Sequence, residues 1–351
     1  MGIGSKPLCC FHGSDGVNTT SWGASVLRDP ADGIFYMWVA QMTNGCDLSS
    51  WQTNSEIVLA KSLDPLGPFE PISVVLPPWG HNPQAIRAPD DEHGHVYALY
   101  ALGDGVPYNG PPRDCRGSLN GSSLRSQRQR GEAGEAGEAG KAGEAGETIT
   151  ANFTISFAQH PRGPYAKHVA SILEWPATWD YGEHGNWNPS PLVHPNGTIF
   201  LMAHTSSKGF MNGEAIIAAN SWRGPYRVVA SNTYDSWGGH VWRAEDPFMW
   251  IDKRGAWHVL YNWGGGPGGP GGHAFSSNGI HWSPIAAAFN STRPVMAGPP
   301  GSKLWTVNYW SERPKLLFAE DGTTPTHLYA GSSKATGYTI VSPLPVMSSY
   351  T

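Results

Sequence analysis

Residues 245–262 read EDPFMWIDKRGAWHVLYN. Two acids stand ahead of a proline, an apolar strand follows, a turn closes on Gly255, and a strand rich in aromatic residues returns. Proline has no N–H to give, so it fits a strand's first residue, where no ladder donor is missed. A Gly-containing turn between β-branched and aromatic residues signals a hairpin. The same unit recurs along the chain. DGIFYMWVA turns at Gly33, HGHVYALYAL at Gly94, NGTIFLMAH at Gly197 and EDGTTPTHLYAG at Gly322. Successive turn glycines lie 61, 103, 58 and 67 residues apart.

The long interval holds an insertion. Residues 131–147, GEAGEAGEAGKAGEAGE, repeat a Gly-Glu-Ala triplet, and all of 113–147 is polar. Such a segment cannot bury a core and is expected to be a disordered surface loop. Its glycine spacing suggests collagen, but it is short and lacks proline. A second phrase follows the hairpins in matching order: SLDPLGPFEP (62–71), HPRGPYAKH (160–168), SWRGPYRVV (221–229) and a shorter relative, SSNGIHWSP (276–284). Each is expected to be the turn into an outer strand. Four strands in roughly 60 residues, five times over, predict an all-β chain. The expected fold is a single five-bladed β-propeller of four-stranded antiparallel blades over 1–351, with the insertion in its second blade. A β-sandwich with unrelated hairpins is the competing architecture.

Composition narrows the function classes. The 44 Gly and 30 Pro residues weigh against a helical bundle. With 15% charged residues and a net charge of -5 there is no basic excess to neutralise phosphates, so no nucleic-acid partner is expected. No apolar run reaches the roughly 18 residues of a membrane helix, so no membrane partner is expected either. A monomer is anticipated. Cys9, Cys10, Cys46 and Cys115 form no CxxC pair, which leaves a zinc or thioredoxin-like reading without support. Sequons at Asn18, Asn120, Asn152, Asn196 and Asn290 lean toward the secretory pathway, although MGIGSKPLCC shows no apolar signal-peptide core. GGGPGGPGG (264–272) lacks the Lys-Ser/Thr of a phosphate cradle and is read as a loop. The histidines show no metal-ligand spacing.

In a propeller the first strand of each blade lines a central channel. Four X-Pro steps precede those strands: Asn82-Pro83, Asn188-Pro189, Asp246-Pro247 and Arg313-Pro314. Their residues should therefore gather round one axis. Burying two adjacent acids there, Glu245 and Asp246, is costly without a task. The candidate binding set is Trp22, His81, Asn82, Trp187, Asn188, His240, Arg243, Glu312 and Arg313, with Trp79, Trp242 and Trp310 beside it. Flat aromatic faces suit the C–H-rich faces of sugar rings. Trp38, Trp250, Trp257 and Trp263 lie within strands and are read as core.

These residues carry a resemblance. NPSPLVHPNGTIFLMAH (188–204), EDPFMWIDKRGAWHVLYN and ERPKLLFAEDG (312–322) resemble the five-bladed β-propeller glycoside hydrolases, above all family 43 and its arabinanase- and xylosidase-like relatives. The resemblance implies inverting hydrolysis of a glycosidic bond in an oligo- or polysaccharide. It gives Glu245 the role of general acid, with Asp246 beside it able to raise its pKa. Asn188 stands where the family has a pKa-tuning Asp, and Gly23-Ala24 where it has a base Asp. The partner carboxylate is therefore open among Asp15, Glu56 and Glu312, with Asp15 the working choice. A carbohydrate-binding propeller without catalysis is one alternative. A glycoside phosphorylase, with phosphate held by Arg87, Arg243, Arg313 and His240, is another. No cofactor is required, while the resemblance allows a structural calcium or other cation, with His273 bridging through water.

Overall fold

The computed structural model describes residue 11 and residues 19–107, 110–116, 148–177, 187–207, 210–230, 244–263, 271–289, 292–296, 304–308, 310–333 and 337–344. The chain is nearly all-β. Strands β1 (Ser21–Arg28), β2 (Phe35–Met42), β3 (Ser55–Ser62) and β4 (Glu70–Leu76) form an antiparallel sheet in chain order. Strands β5 (His81–Asp90), β6 (Gly94–Leu102), β7 (Thr148–Ala158) and β8 (Ala166–Pro176) form a second meander. The third holds β9 (Ser190–Val193), β10 (Ile199–Ser207), β11 (Phe210–Ala219) and β12 (Tyr226–Ala230). A parallel pairing of Tyr226 with Ile172 and Arg227 with Leu173 fuses these two meanders into one eight-stranded sheet. Then come β13 (Ala244–Ile251), β14 (Trp257–Trp263), β15 (Gly271–Ser276) and β16 (Ala286–Phe289), again in order. A two-stranded ribbon, β17 (Thr292–Met296) with β18 (Leu304–Asn308), precedes a three-stranded sheet of β19 (Trp310–Phe318), β20 (Pro325–Ser333) and β21 (Gly337–Pro343). Among the described residues the helical content is one 3-10 turn, Leu48–Ser50, and one α-turn, Trp51–Asn54.

The expected turn glycines all lie between the first and second strands of a sheet or open the second, with φ from 68° to 89°. The second phrase falls between β3 and β4, β7 and β8, β11 and β12, and β15 and β16, as its order required. Two features differ from a plain four-strand repeat. The second and third meanders share an edge, and the last sheet has three described strands beside a ribbon that no hairpin signal marked.

The first strands close on themselves. β1 touches β5, β5 touches β9, β9 touches β13, β13 touches β19, and β19 returns to β1. Alternating side chains fill each gap between neighbours. Trp38, Leu59, Tyr97 and Leu99 join the first meander to the second, and Tyr100, Phe153, Leu201 and Tyr226 join the second to the third. Met202, Met249 and Tyr261 continue the series, followed by Phe248, Leu260 and Leu328. Val39, Leu317 and Tyr329 seal the last sheet against the first, where Phe11 also bridges to Thr339.

The polar insertion between β6 and β7 begins with anchored residues rather than with free chain. Asn54 Nδ2 donates to the Arg113 carbonyl at 2.8 Å, the Arg113 N–H donates to Asn54 Oδ1 at 3.1 Å, and Cys115 is bonded to Cys46. The expectation of disorder over 113–147 is corrected for 113–116, and 117–147 lie outside the described residues.

Candidate active site

The four X-Pro steps meet. Asn82 Nδ2 donates to Asn188 Oδ1 at 2.8 Å and to Asp246 Oδ1 at 3.2 Å. Arg313 Nε donates to the same Asp246 oxygen at 3.3 Å. Asn82, Asn188 and Asp246 are buried, so this network sits at the centre of the strand ring.

Pro189 stands immediately before β9, as expected. The other three prolines reach the network by a different device: pairing skips from His81 to Gln84, from Glu245 to Phe248 and from Glu312 to Lys315, so Pro83, Pro247 and Pro314 lie in bulges. A bulge leaves residues out of the ladder, which is where a missing N–H does no harm. The residue before each proline takes a left-handed backbone: φ is 46° at Asn82, 39° at Asn188, 56° at Asp246 and 55° at Arg313. Gly23 is the fifth member, with φ 70°, beside a register shift in β1. A Cβ on Gly23 would lie 3.1 Å from Arg313 Cβ and Cδ. The Arg313 side chain thus fills the space where the fifth side chain would stand.

The bulges also separate neighbouring acids. Asp246 turns into the network and is 1% exposed, while Glu245 and Glu312 stay only partly buried. Burial, then the charge of Asp246, raises Glu245 above the usual carboxylate range, against the pull of His204 and Arg313. The same two causes push Glu312 up to about 7, with Arg313 and the Trp22 indole opposing them. Glu312 is thereby placed to hold or give up a proton near neutrality, and Glu245 is shifted in the same direction.

Several predicted binding residues are closed off. Trp22 and Trp187 are 1% and 2% exposed, and Trp187 packs on Phe153 with ring centroids 4.8 Å apart. They are core residues, because burying an indole in an inter-sheet gap removes more apolar area from water than a sugar face would. Trp79 is likewise buried, over Trp51 and His81. His81 is fully buried, with Nδ1 2.6 Å from Ser55 Oγ, and burial followed by the Arg313 charge holds its pKa well below the ordinary value. Asp15, His240, Trp242 and Arg243 lie outside the described residues, as does the Trp310 side chain. Glu56 accepts from Gln41 Nε2 at 2.6 Å. Arg87 meets His95 Nδ1 at 2.8 Å and lines a cavity of about 1120 Å³. That cavity lies at the other end of the strands, among Leu27, Ile86, Leu192 and Trp250, without the convergent carboxyls.

Three residues were missed in the sequence. Lys315, buried one layer below Arg313, donates to Gln84 Oε1 at 3.0 Å, and burial drives its ammonium down to about 7. The bulge at Pro314 breaks the two-residue alternation between Arg313 and Lys315, so the sequence alone does not place Lys315 in the shaft. His204 and Glu214 pair across β10 and β11, with Nδ1 and Oε1 3.2 Å apart. Their partnership depends on a register that single-sequence reading does not supply.

Within the shaft, Asp246 Oδ1 accepts from Asn82 and Arg313 and Asn188 Oδ1 accepts from Asn82, whereas the buried Asn82 Oδ1 has no hydrogen-bond partner among the described residues. His273 Nε2 lies 3.0 Å from His258 Nδ1.

No family model matches the sequence, and no curated protein matches it. Solved structures do. A family 117 glycoside hydrolase from the marine bacterium Zobellia galactanivorans superposes with a TM-score of 0.54 at 13% identity, over 92% of this chain and 83% of that one. The exo-β-1,3-galactanase of Phanerochaete chrysosporium, solved with galactose, gives 0.52 at 14% identity over 93% of this chain and 61% of that one. A GH43 β-1,3-galactosidase gives 0.52 at 12% identity over 98% and 60%. The chain thus spans about three fifths of the latter two proteins. At these identities the likeness is one of architecture: the chain is similar in fold to the β-propeller glycoside hydrolases of families 43 and 117.

Proposed function

We propose that the protein is a glycoside hydrolase built as one five-bladed propeller, cleaving a glycosidic bond of an oligo- or polysaccharide with inversion. One observation carries this reading. Two partly exposed carboxyls, Glu245 and Glu312, both held toward protonation, flank a buried Asp246–Arg313 pair at the centre of the strand ring. Glycoside hydrolysis needs such a carboxyl pair. Glu245 gives its proton to the glycosidic oxygen, which leaves with the electron pair of its bond to the anomeric carbon. Glu312, once ionised, takes a proton from the water whose oxygen attacks that carbon from the other side. Asp246, fixed by Arg313 and Asn82, keeps Glu245 from ionising early. Activity is expected to rise as pH passes through about 7, where Glu312 loses its proton, while burial and the Asp246 charge hold Glu245 toward its protonated form.

Leaving-group chemistry separates the two roles. Glu245→Gln is expected to lose roughly 10²–10⁴-fold on natural glycosides, the usual worth of a general acid, and to recover on a nitrophenyl glycoside, which needs no protonation. Glu312→Gln should fail on both and regain turnover with azide. The reverse pattern exchanges the roles, and full activity in Glu245→Gln on every active substrate removes the hydrolase reading. NMR of the first-formed anomer tests inversion.

The Gly23 step, which has no carboxylate, favours a second reading: a carbohydrate-binding propeller without turnover. Glycan binding with no product over a broad panel supports it. Phosphorolysis is less well supported, since Arg313 is paired to Asp246 and Arg87 lies at the far end. Phosphate-dependent product release is its test.

A further inference from the structure

His204 is buried, 4% exposed, on β10 beside β13. Its Nδ1 is tied to Glu214, and its Nε2 has no hydrogen-bond partner among the described residues. Its backbone N–H donates to the Trp187 carbonyl at 2.7 Å, which fixes β10 against the step before Asn188. A buried imidazole held at one nitrogen, with the other unpartnered, is expensive unless something uses it.

Among the described residues, the charged groups acting on it are acidic. Glu214 faces it from β11, Glu245 and Asp246 from β13, and Arg313 acts on Glu245 from β19. Burial alone would depress the imidazole. The bond to Glu214 and its charge, reinforced by Glu245 and Asp246, overcome that and raise the pKa.

We propose that His204, oriented by Glu214, is a positioning residue for Glu245: an imidazolium that stabilises the Glu245 carboxylate left when its proton has gone to the departing oxygen. The inference rests on the hydrolase reading. His204 keeps its proton throughout. The O–H bond of Glu245 breaks, the leaving oxygen gains that proton, and Glu245 recovers one from solvent after product leaves. The arrangement balances Asp246, which favours the protonated acid before reaction, with a cation that favours the ionised form after it.

The test needs no substrate. Imidazole NMR of the full chain follows His204, identified by the signal that His204→Asn removes or, should that variant not fold, by through-bond correlation from its Cβ. The ring is expected to titrate above the ordinary value of about 6.5. Its pKa should drop by roughly half a unit or more in Glu245→Gln, and further in Glu214→Gln, as each negative neighbour is neutralised. A ring titrating below about 6.5, or one that responds to Glu214→Gln and not to Glu245→Gln, overturns the proposal and leaves His204 as packing. Because coupling is read in the free protein, this result stands apart from whether any glycan is cleaved. With a cleaved substrate, His204→Asn should also move the alkaline limb of the pH profile upward, which packing loss alone does not do.

Discussion

Gly23 is the one ring residue without a side chain, and Arg313 lies over it. A methyl group there meets two penalties, a left-handed backbone and a 3.1 Å approach to Arg313. Gly23→Ala is expected to cost roughly 1–2 kcal/mol in urea unfolding, the scale of a non-glycine residue held at positive φ. Lys315 makes a second residue-scale prediction. The unfolded side chain holds its proton to about 10.4, whereas the folded one releases it at about 7. Between those values the unfolded state binds more protons, so stability rises with pH. The stability of wild type relative to Lys315→Met should therefore improve as pH climbs from 7 toward 10. Denaturant midpoints at both pH values measure it, and a constant difference counts against a depressed lysine. The indoles Trp22 and Trp187 show where residue-level reading ran out. Their places beside the ring steps were legible, but which way a side chain faces depends on a backbone twist that composition does not encode.

At the level of strands and turns the sequence was more open. Gly33, Gly94, Gly197, Gly255 and Gly322 sit at their hairpins, and the Gly-Pro phrases sit before outer strands, because turn geometry selects residue type locally. Pro189 stands before its strand as expected, while Pro83, Pro247 and Pro314 were located correctly along the chain and assigned the wrong device. A bulge and a strand start both dispense with the N–H, and only the partner strand distinguishes them. The fused edge of β8 and β12 left no trace, since two parallel pairs need no special residue. Cys46 and Cys115 make the element-scale prediction. Their bond closes a span of 69 residues across the helical turns and the insertion's anchor, which chain-entropy reasoning values at about 4 kcal/mol. Cys46→Ser with Cys115→Ser should lower the thermal midpoint, and added reductant should lower that of wild type but not of the double variant.

The whole ring is closed by five inter-sheet cores and by charges set inside the shaft. Arg313 already supplies a positive charge to Asp246, so the thermal midpoint is expected to stay the same with EDTA or millimolar calcium. A calcium-dependent rise would show that the Asp246 network opens to admit an ion. The all-β architecture was legible from the recurring hairpins. The pairing of Asp246 with Arg313 was legible only as convergence, since which of several polar groups touch is settled by distances near 3 Å.

The Asp246–Arg313 contact also has a consequence during synthesis. Its partners are 67 residues apart, and a ribosome adding about 5–20 residues per second makes the arginine some 3–13 seconds after the aspartate. Until then the growing chain has no counter-ion for that acid, and the opening sheets have no final neighbour to cover their flanks. Nascent chains arrested before Arg313 should accordingly be protease-sensitive and chaperone-bound, and become resistant only once the last sheet has emerged.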